Sequence, residues 1–114
     1  MIKKAEPTDR LFYQAKELVG LGDEFTTLDC IVATDNKNKV TACCFYDIVK
    51  EQLSLTHTGN LRQFTSCVKR VIKEFTKLGI NEVTCIIPSE NTQLQQILEK
   101  EGFSFSHIVG ICET

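Results

Sequence analysis

The sequence of 114 residues predicts a single α/β domain, a three-layer sandwich in which helices cover both faces of a central mixed sheet. Three observations predict it. Short β-branched runs alternate with amphipathic segments of helical period, Gly or Pro stands at several boundaries, and the segment 53–103 has the pattern strand, helix, strand, helix. Because a helix that joins two strands forms a crossover connection, we expect those strands to lie side by side and parallel.

Charge and composition exclude several classes of protein. With 13 basic and 15 acidic residues the net charge is -2, and the basic residues are scattered, so neither a nucleic-acid nor a membrane partner is expected. The six cysteines lie mostly inside apolar patterns, where thiols behave as small hydrophobic groups, and only Cys112 is expected to be exposed. No CxxC pair, Cys/His metal set or secretory segment is present, so we expect a cytoplasmic protein without a metal.

The first third of the chain predicts an edge strand, a helix and a hairpin. Pro7 ends the strand, and Thr8 is expected to cap a helix that runs to Val19. The predicted buried face of this helix consists of Leu11, Ala15, Leu18 and Val19. Two strands follow at 27–34 and 40–49, and the turn residues Asp35-Asn36-Lys37-Asn38 between them indicate a hairpin.

The middle of the chain predicts the crossover itself. Leu53 and Leu55 alternate with polar residues as in a half-buried strand. Thr58 or Asn60 can cap the long helix that follows, and Gly79 ends it. The apolar residues of that helix recur every three or four positions and define one buried face: Leu61, Phe64, Val68, Val71, Ile72, Phe75 and Leu78.

The last third predicts a strand, a helix and a final strand. The nearly continuous apolar run 83–87 indicates a strand buried on both sides. Asn91 or Thr92 is expected to cap a shorter helix, which Gly102 ends, and residues 103–111 form the last strand. The predicted order of elements is therefore β-α-β-β-β-α-β-α-β.

Two segments carry a resemblance to a known family. The sequence NTQLQQILEKEGF at 91–103 resembles the GNAT superfamily of acyl-CoA-dependent N-acyltransferases, in which an Asn after the fifth strand precedes a helix that ends in Gly-Phe. The opening IKKAEPTD at 2–9 resembles the first strand and helix start of the same family, and the order of elements fits apart from the missing second helix. The resemblance implies the GNAT fold over nearly the whole chain.

The resemblance also implies a site for acyl-CoA, with acetyl-CoA as the expected cofactor. In the family the pyrophosphate lies on a glycine-rich loop at the start of the helix after strand four, because glycines let backbone N–H groups approach the phosphates. Here that loop falls on 59–64, where only Gly59 is a glycine and Arg62 and Phe64 occupy the two demanding glycine positions. By resemblance the cofactor-binding residues are Leu55, Thr58, Gly59, Asn60, Leu61, Arg62 and Asn91.

The catalytic positions implied by the resemblance are incomplete. The family often has a Tyr proton donor in the helix before Gly-Phe, and Leu98 stands at that position. Glu51 is the nearest match to a carboxylate base on strand four, and His57 could act as a base at the end of that strand. For both, a solvated or backbone-bonded polar side chain is the alternative. Tyr46 and Asp47 would border an acceptor groove or pack in the sheet.

Three functions follow from these patterns. The first is a non-catalytic or weakly active accessory protein with a protein partner, since the segment THTGNLRQFTSCVKRVIKEF at 56–75 resembles small bacteriophage proteins of the virion or its assembly, which implies a host-cytoplasm or virion location. The second is an acetyl-CoA-dependent N-acetyltransferase with an atypical cofactor loop. The third is a small binding protein that acts on a host or partner protein.

Overall fold

The computed structural model describes residues 1–19, 28–54, 60–87, 92–106 and 109–113. Within these ranges the chain forms three helices and one seven-stranded sheet. The helices are α1 (Arg10–Val19), α2 (Leu61–Lys77) and α3 (Thr92–Lys100). The strands are β1 (Ile2–Ala5), β2 (Asp29–Thr34), β3 (Val40–Asp47), β4 (Gln52–Ser54), β5 (Glu82–Ile86), β6 (Phe103–Ser106) and β7 (Val109–Glu113).

The sheet is mixed, with strand order β1-β2-β3-β4-β5-β7-β6. Its one parallel pair is β4 with β5, where Gln52 lies opposite Thr84 and Leu53 opposite Cys85. The two strands flank α2 in sequence, so the predicted parallel crossover is confirmed. The other neighbouring strands are antiparallel.

Helices lie on both faces of the sheet, as the sequence predicts. On one face α1 packs against β2 and β3 through Leu11, Phe12 and Ala15. On the other face α2 and α3 share a larger core, to which Phe64 and Phe75 belong. All six cysteines are free and buried in these two cores; the expectation that Cys112 is exposed is wrong, because it is only 3% exposed.

The predicted hairpin is confirmed, and it contains a bulge. Asp35 shapes its turn, because its carboxylate accepts hydrogen bonds from the backbone N–H groups of Lys37 (2.9 Å) and Lys39 (3.0 Å). These bonds lower the pKa of the Asp35 carboxyl. Ala33 lies opposite Ala42, but Thr34 lies opposite Val40, which leaves Thr41 as the extra residue of a β-bulge.

The last strand differs from the prediction. In place of one strand over 103–111, β6 and β7 form an antiparallel pair in which Phe103 lies opposite Cys112 and Ser106 opposite Val109. β7 inserts between β5 and β6. The sequence FSFSHIVGI has no Gly-Pro or Asn-Gly signal at the point of reversal, and residues 107 and 108 lie outside the described residues, so the pattern alone gave no reason to divide the strand.

Helix α1 begins one residue later than its predicted cap implies. The Asp9 carbonyl accepts the hydrogen bond from Phe12 N–H (3.1 Å), and its carboxylate accepts one from Glu6 N–H (3.0 Å), so Asp9 rather than Thr8 stands at the cap position. The buried face of the helix also differs from the predicted face. Phe12 is fully buried, whereas Leu18 is 38% exposed.

Two further burial predictions are wrong. β5 is buried on one side only, because Val83 and Cys85 face the α2 core while Ile86 is 50% exposed. Leu78 does not continue the buried face of α2 and is 56% exposed, since the helix has ended at Lys77 and Gly79 then takes a left-handed φ of 75°. The uncovered side of β5 matters for the surface described below.

Candidate cofactor site at the start of helix α2

The two parallel strands and α2 define one edge of the sheet. Since β4 and β5 are parallel, their carboxyl ends point to the same edge, and the chain enters α2 after β4 has ended there. Asn60 caps the helix: its Oδ1 accepts a hydrogen bond from Gln63 N–H (3.1 Å), and its carbonyl accepts one from Phe64 N–H (2.8 Å). Of the two predicted caps, Asn60 is the one the described residues contain, and Thr58 lies outside them.

The bulge in β3 ties this helix start to the sheet. Thr41 does not pair in the β2–β3 register, and its carbonyl accepts a hydrogen bond from Asn60 N–H (3.2 Å). The Thr41 hydroxyl also donates to Gln63 Oε1. Thr41 therefore connects the first turn of α2 to β3 through these two hydrogen bonds. The sequence did not point to Thr41 or Gln63, because a Thr in a strand and a Gln in a helix carry no signal for this contact.

Among the described residues, few backbone donors remain at this helix start. The N–H groups of Asn60, Gln63 and Phe64 have acceptors within the protein, whereas those of Leu61 and Arg62 have none among the described residues. An anion at the start of α2 would thus meet two amides that have no acceptor among the described residues, together with the positive end of the helix dipole. The exposed Arg62 side chain adds one positive charge nearby.

Phe64 serves the core rather than a ligand. Its side chain is 0% exposed and packs on the α2 side of the sheet with Cys67 and Val68. The resemblance implies a glycine of the cofactor loop at this position, and here the position carries one of the largest fully buried side chains of the protein. Leu98, at the position of the family's Tyr, is likewise fully buried.

Glu51 lies before β4, not on it. It stands in an exposed turn with a left-handed φ of 53°. Its backbone N–H donates to the Ile48 carbonyl (3.3 Å), and its carbonyl accepts from Thr84 N–H (3.0 Å). Glu51 is therefore at the amino end of β4, while Asn60, Leu61 and Arg62 follow its carboxyl end. Its assignment as a catalytic base stays a prediction.

The remaining predicted site residues divide into two groups. Tyr46 is buried edge-on against Phe75, with 5.6 Å between ring centroids, and burial raises its pKa, with smaller contributions from nearby carboxylates. Asp47 accepts a hydrogen bond from Lys50 N–H (3.1 Å) in the turn before β4. The second group, His57, Leu55, Thr58, Gly59 and Asn91, lies outside the described residues, and their roles stay predictions.

The described residues show neither a metal-ion cluster nor a membrane-spanning helix. They contain no group of three or more His, Cys, Asp or Glu side chains that could hold a metal ion. None of the three helices is long and apolar enough to cross a membrane.

The Asn60 cap can be tested by its effect on stability. We expect Asn60→Ala to lower the free energy of unfolding by about 1 kcal/mol, because Gln63 N–H loses its acceptor, and Asn60→Gly to lower it by only a few tenths. Urea denaturation followed by circular dichroism measures both changes. Equal stability of the wild type and Asn60→Ala would show that this hydrogen bond does not hold the helix start.

Comparison with solved structures identifies the fold. No protein-family model matches the sequence, and no curated protein matches it. Among solved structures, a GNAT family acetyltransferase from Elizabethkingia anophelis with acetyl-CoA bound is similar over 100% of this chain and 97% of its own, with a TM-score of 0.75 and 14% identity.

Two more acetyltransferases show the same similarity. The ribosomal-protein-S18-alanine N-acetyltransferase from Escherichia coli matches 99% of this chain and 94% of its own, with a TM-score of 0.76 and 13% identity. The IAA acetyltransferase from Bacillus cereus matches 100% of this chain and 99% of its own, with a TM-score of 0.77 and 9% identity. The chain therefore has the GNAT fold along its whole length, and the fold predicted by resemblance is confirmed.

Proposed function

We propose that this GNAT-fold protein has a reduced acyl-CoA pyrophosphate site and acts as a non-catalytic or weakly active accessory protein. The observation that carries the proposal is the start of α2. There Phe64 fills a core position where the family has a glycine, and Asn60 and Thr41 use hydrogen-bonding groups that a phosphate would otherwise meet. The fold supports an ancestry among acyl-CoA-dependent enzymes; the site residues support the loss of tight cofactor binding.

The expected loss of affinity for the pyrophosphate follows from the number of missing hydrogen-bond donors. A hydrogen bond to a charged group contributes about 1.5–3 kcal/mol. A pyrophosphate site that lacks two such donors therefore binds roughly 100-fold to 10,000-fold more weakly. The two amides of Leu61 and Arg62 and the Arg62 guanidinium offset only part of this loss.

Isothermal titration with acetyl-CoA tests the proposal. We expect a dissociation constant in the millimolar range or weaker for the wild type, because the helix start offers too few free amides. Asn60→Gly frees the Gln63 N–H and should tighten binding, while Lys77→Ala, at the other end of α2, removes a positive charge and should leave the affinity unchanged. Saturable micromolar binding by the wild type would overturn the proposal.

A second candidate function is an acetyl-CoA-dependent N-acetyltransferase with an atypical loop. The observation that favours it is the pair of amides at Leu61 and Arg62, which have no acceptor among the described residues, beside the exposed Arg62 side chain. Acetyl transfer to an amine depends largely on positioning, and Glu51 or His57 would remove the amine proton. Acetyl-CoA turnover with a panel of amines, lost in Arg62→Ala and kept in Lys77→Ala, would support this function. A flat panel would count against it.

An accessory role requires a protein partner. We extend the proposal to a particle-assembly or virion protein in the host cytoplasm, on the basis of the resemblance of residues 56–75 to small bacteriophage proteins. Co-purification with assembled particles would test this location. Recovery of the protein only in the free fraction would count against it.

A further inference from the structure

One face of the β5–β7–β6 part of the sheet has no described helix on it. α1 covers β2 and β3 on this side, and α2 and α3 lie on the opposite side. As a result Ile86, Val109 and Ile111 are 50%, 39% and 41% exposed. Sheet faces in three-layer proteins are normally covered, so a contiguous apolar face of this kind indicates an interaction surface.

The register aligns these side chains into rows across the sheet. Ile86 lies opposite Val109, which makes one end of the face apolar. Glu82 lies opposite Glu113 at the other end, and both are exposed. Neither carboxylate has a basic partner in the described part of the chain. Like charges directly opposite each other on neighbouring strands destabilise a sheet, so this pair costs the free protein stability.

The same face is concave beside β6. Ser104 lies opposite Ile111, and Ser106 lies opposite Val109, so two small polar side chains of the edge strand lie here, and Phe105 of the same strand also lines this region. A shallow cavity of about 610 Å³ results. Its lining includes both carboxylates, both serines, Ile111 and Gly102. A ligand in this cavity would contact an apolar floor and two negative charges at one end.

We propose that this face, defined as Glu82, Ile86, Val109, Ile111, Glu113 and the two serines of β6, docks a segment of a partner protein that carries a Lys or Arg beside apolar side chains. The basic group pairs with Glu82 and Glu113, and the apolar groups cover Ile111, Val109 and Ile86. Charge complementarity favours such a segment over a second copy of this chain. A face with two carboxylates and no basic side chain among its described residues does not complement itself. The inference rests on the proposed accessory role only in requiring a partner.

A selection from a random dodecapeptide library displayed on phage, with the full chain immobilised, tests the proposal. We expect the enriched peptides to combine Lys or Arg with aliphatic or aromatic residues. We expect synthetic copies to bind Glu82→Gln/Glu113→Gln at least about tenfold more weakly than the wild type, because two ion pairs are lost. Lys73→Ala, on the exposed side of α2, is the matched control and should bind unchanged.

The variant Glu113→Lys separates docking from folding. It converts the like-charge pair into an opposite-charge pair, so we expect the Tm to rise by roughly 2–4 °C while peptide binding is lost.

Enrichment of acidic or purely apolar peptides, or binding that survives in Glu113→Lys, would overturn the proposal. Self-association of the wild type that Ile111→Lys abolishes would assign the face to a second copy and overturn it as well. Acetyl-CoA titration of the same variants is independent of this face, so failure here is distinguishable from failure of the proposed function.

Discussion

Replacing Phe64 with glycine is expected to lower the free energy of unfolding by roughly 4–6 kcal/mol instead of creating a cofactor loop. Truncation of a buried Phe costs about 3–5 kcal/mol, and glycine in a helix costs about 1 kcal/mol more. Phe64 is fully buried in the core shared by α2 and α3. A loss of this size is a large part of the stability of an ordinary domain. Urea denaturation at neutral pH measures it.

Arg62→Gly is the matched control, because Arg62 occupies the other glycine position of the family's loop and its side chain is exposed. We expect this variant to lose at most about 1 kcal/mol. Similar stability of Phe64→Gly and Arg62→Gly would contradict the account, since it would mean that Phe64 does not hold the core.

Raising the pH from 8 to 10 is expected to remove roughly 3–4 kcal/mol of stability through Cys67 and Cys85 alone. Burial raises the pKa of the Cys67 and Cys85 thiols to about 12 and raises the pKa of Cys44 and Cys112. The pKa of Cys30 is raised by its hydrogen bond with Cys43 and by burial. All five thiols therefore keep their protons in the folded state above the pH at which they lose them in the unfolded state.

The sign of this dependence follows from proton binding. Below about pH 8 both states carry the protons, and these thiols give no pH dependence. Above it the unfolded state binds fewer protons, so stability falls as the pH rises. Circular dichroism in urea at pH 8, 9 and 10, with a reductant present, measures the fall. Cys67→Ala should reduce the slope of the free energy of unfolding against pH by the contribution of one thiol. A flat profile to pH 10 would contradict the burial of these groups.

The sequence was sufficient for the fold where periodicity and capping acted together. The stripe of α2 up to Phe75, Asn60 as one of two candidate caps, and the left-handed Gly79 were predictable, because each is a local signal. The division of the last strand was not, because the apolar alternation from Phe103 onward continues across the point where β6 and β7 separate. Single-sided burial of β5 was hidden for a similar reason: Ile86 is apolar but no described helix covers it.

The site was predictable only in part. The sequence shows Arg62 and Phe64 where the resemblance implies glycines, and the burial of Phe64 was expected from its place in the apolar stripe. The contacts of Thr41 with Asn60 and Gln63 were not, because they depend on a bulge and join residues far apart in the chain. Long-range hydrogen bonds of this kind have no periodic signature.

Among the described residues, the start of α2 offers two amides without an acceptor, at Leu61 and Arg62, and we propose that these are too few to hold a diphosphate. The most direct measurement is an NMR titration of the ¹⁵N-labelled chain with coenzyme A, followed at the amide resonances of Leu61, Arg62 and Gln63. We predict small shifts at Leu61 and Arg62 that do not saturate below millimolar concentration, with Gln63 unchanged because Asn60 Oδ1 holds its N–H. Saturation of all three resonances at micromolar coenzyme A would contradict the claim.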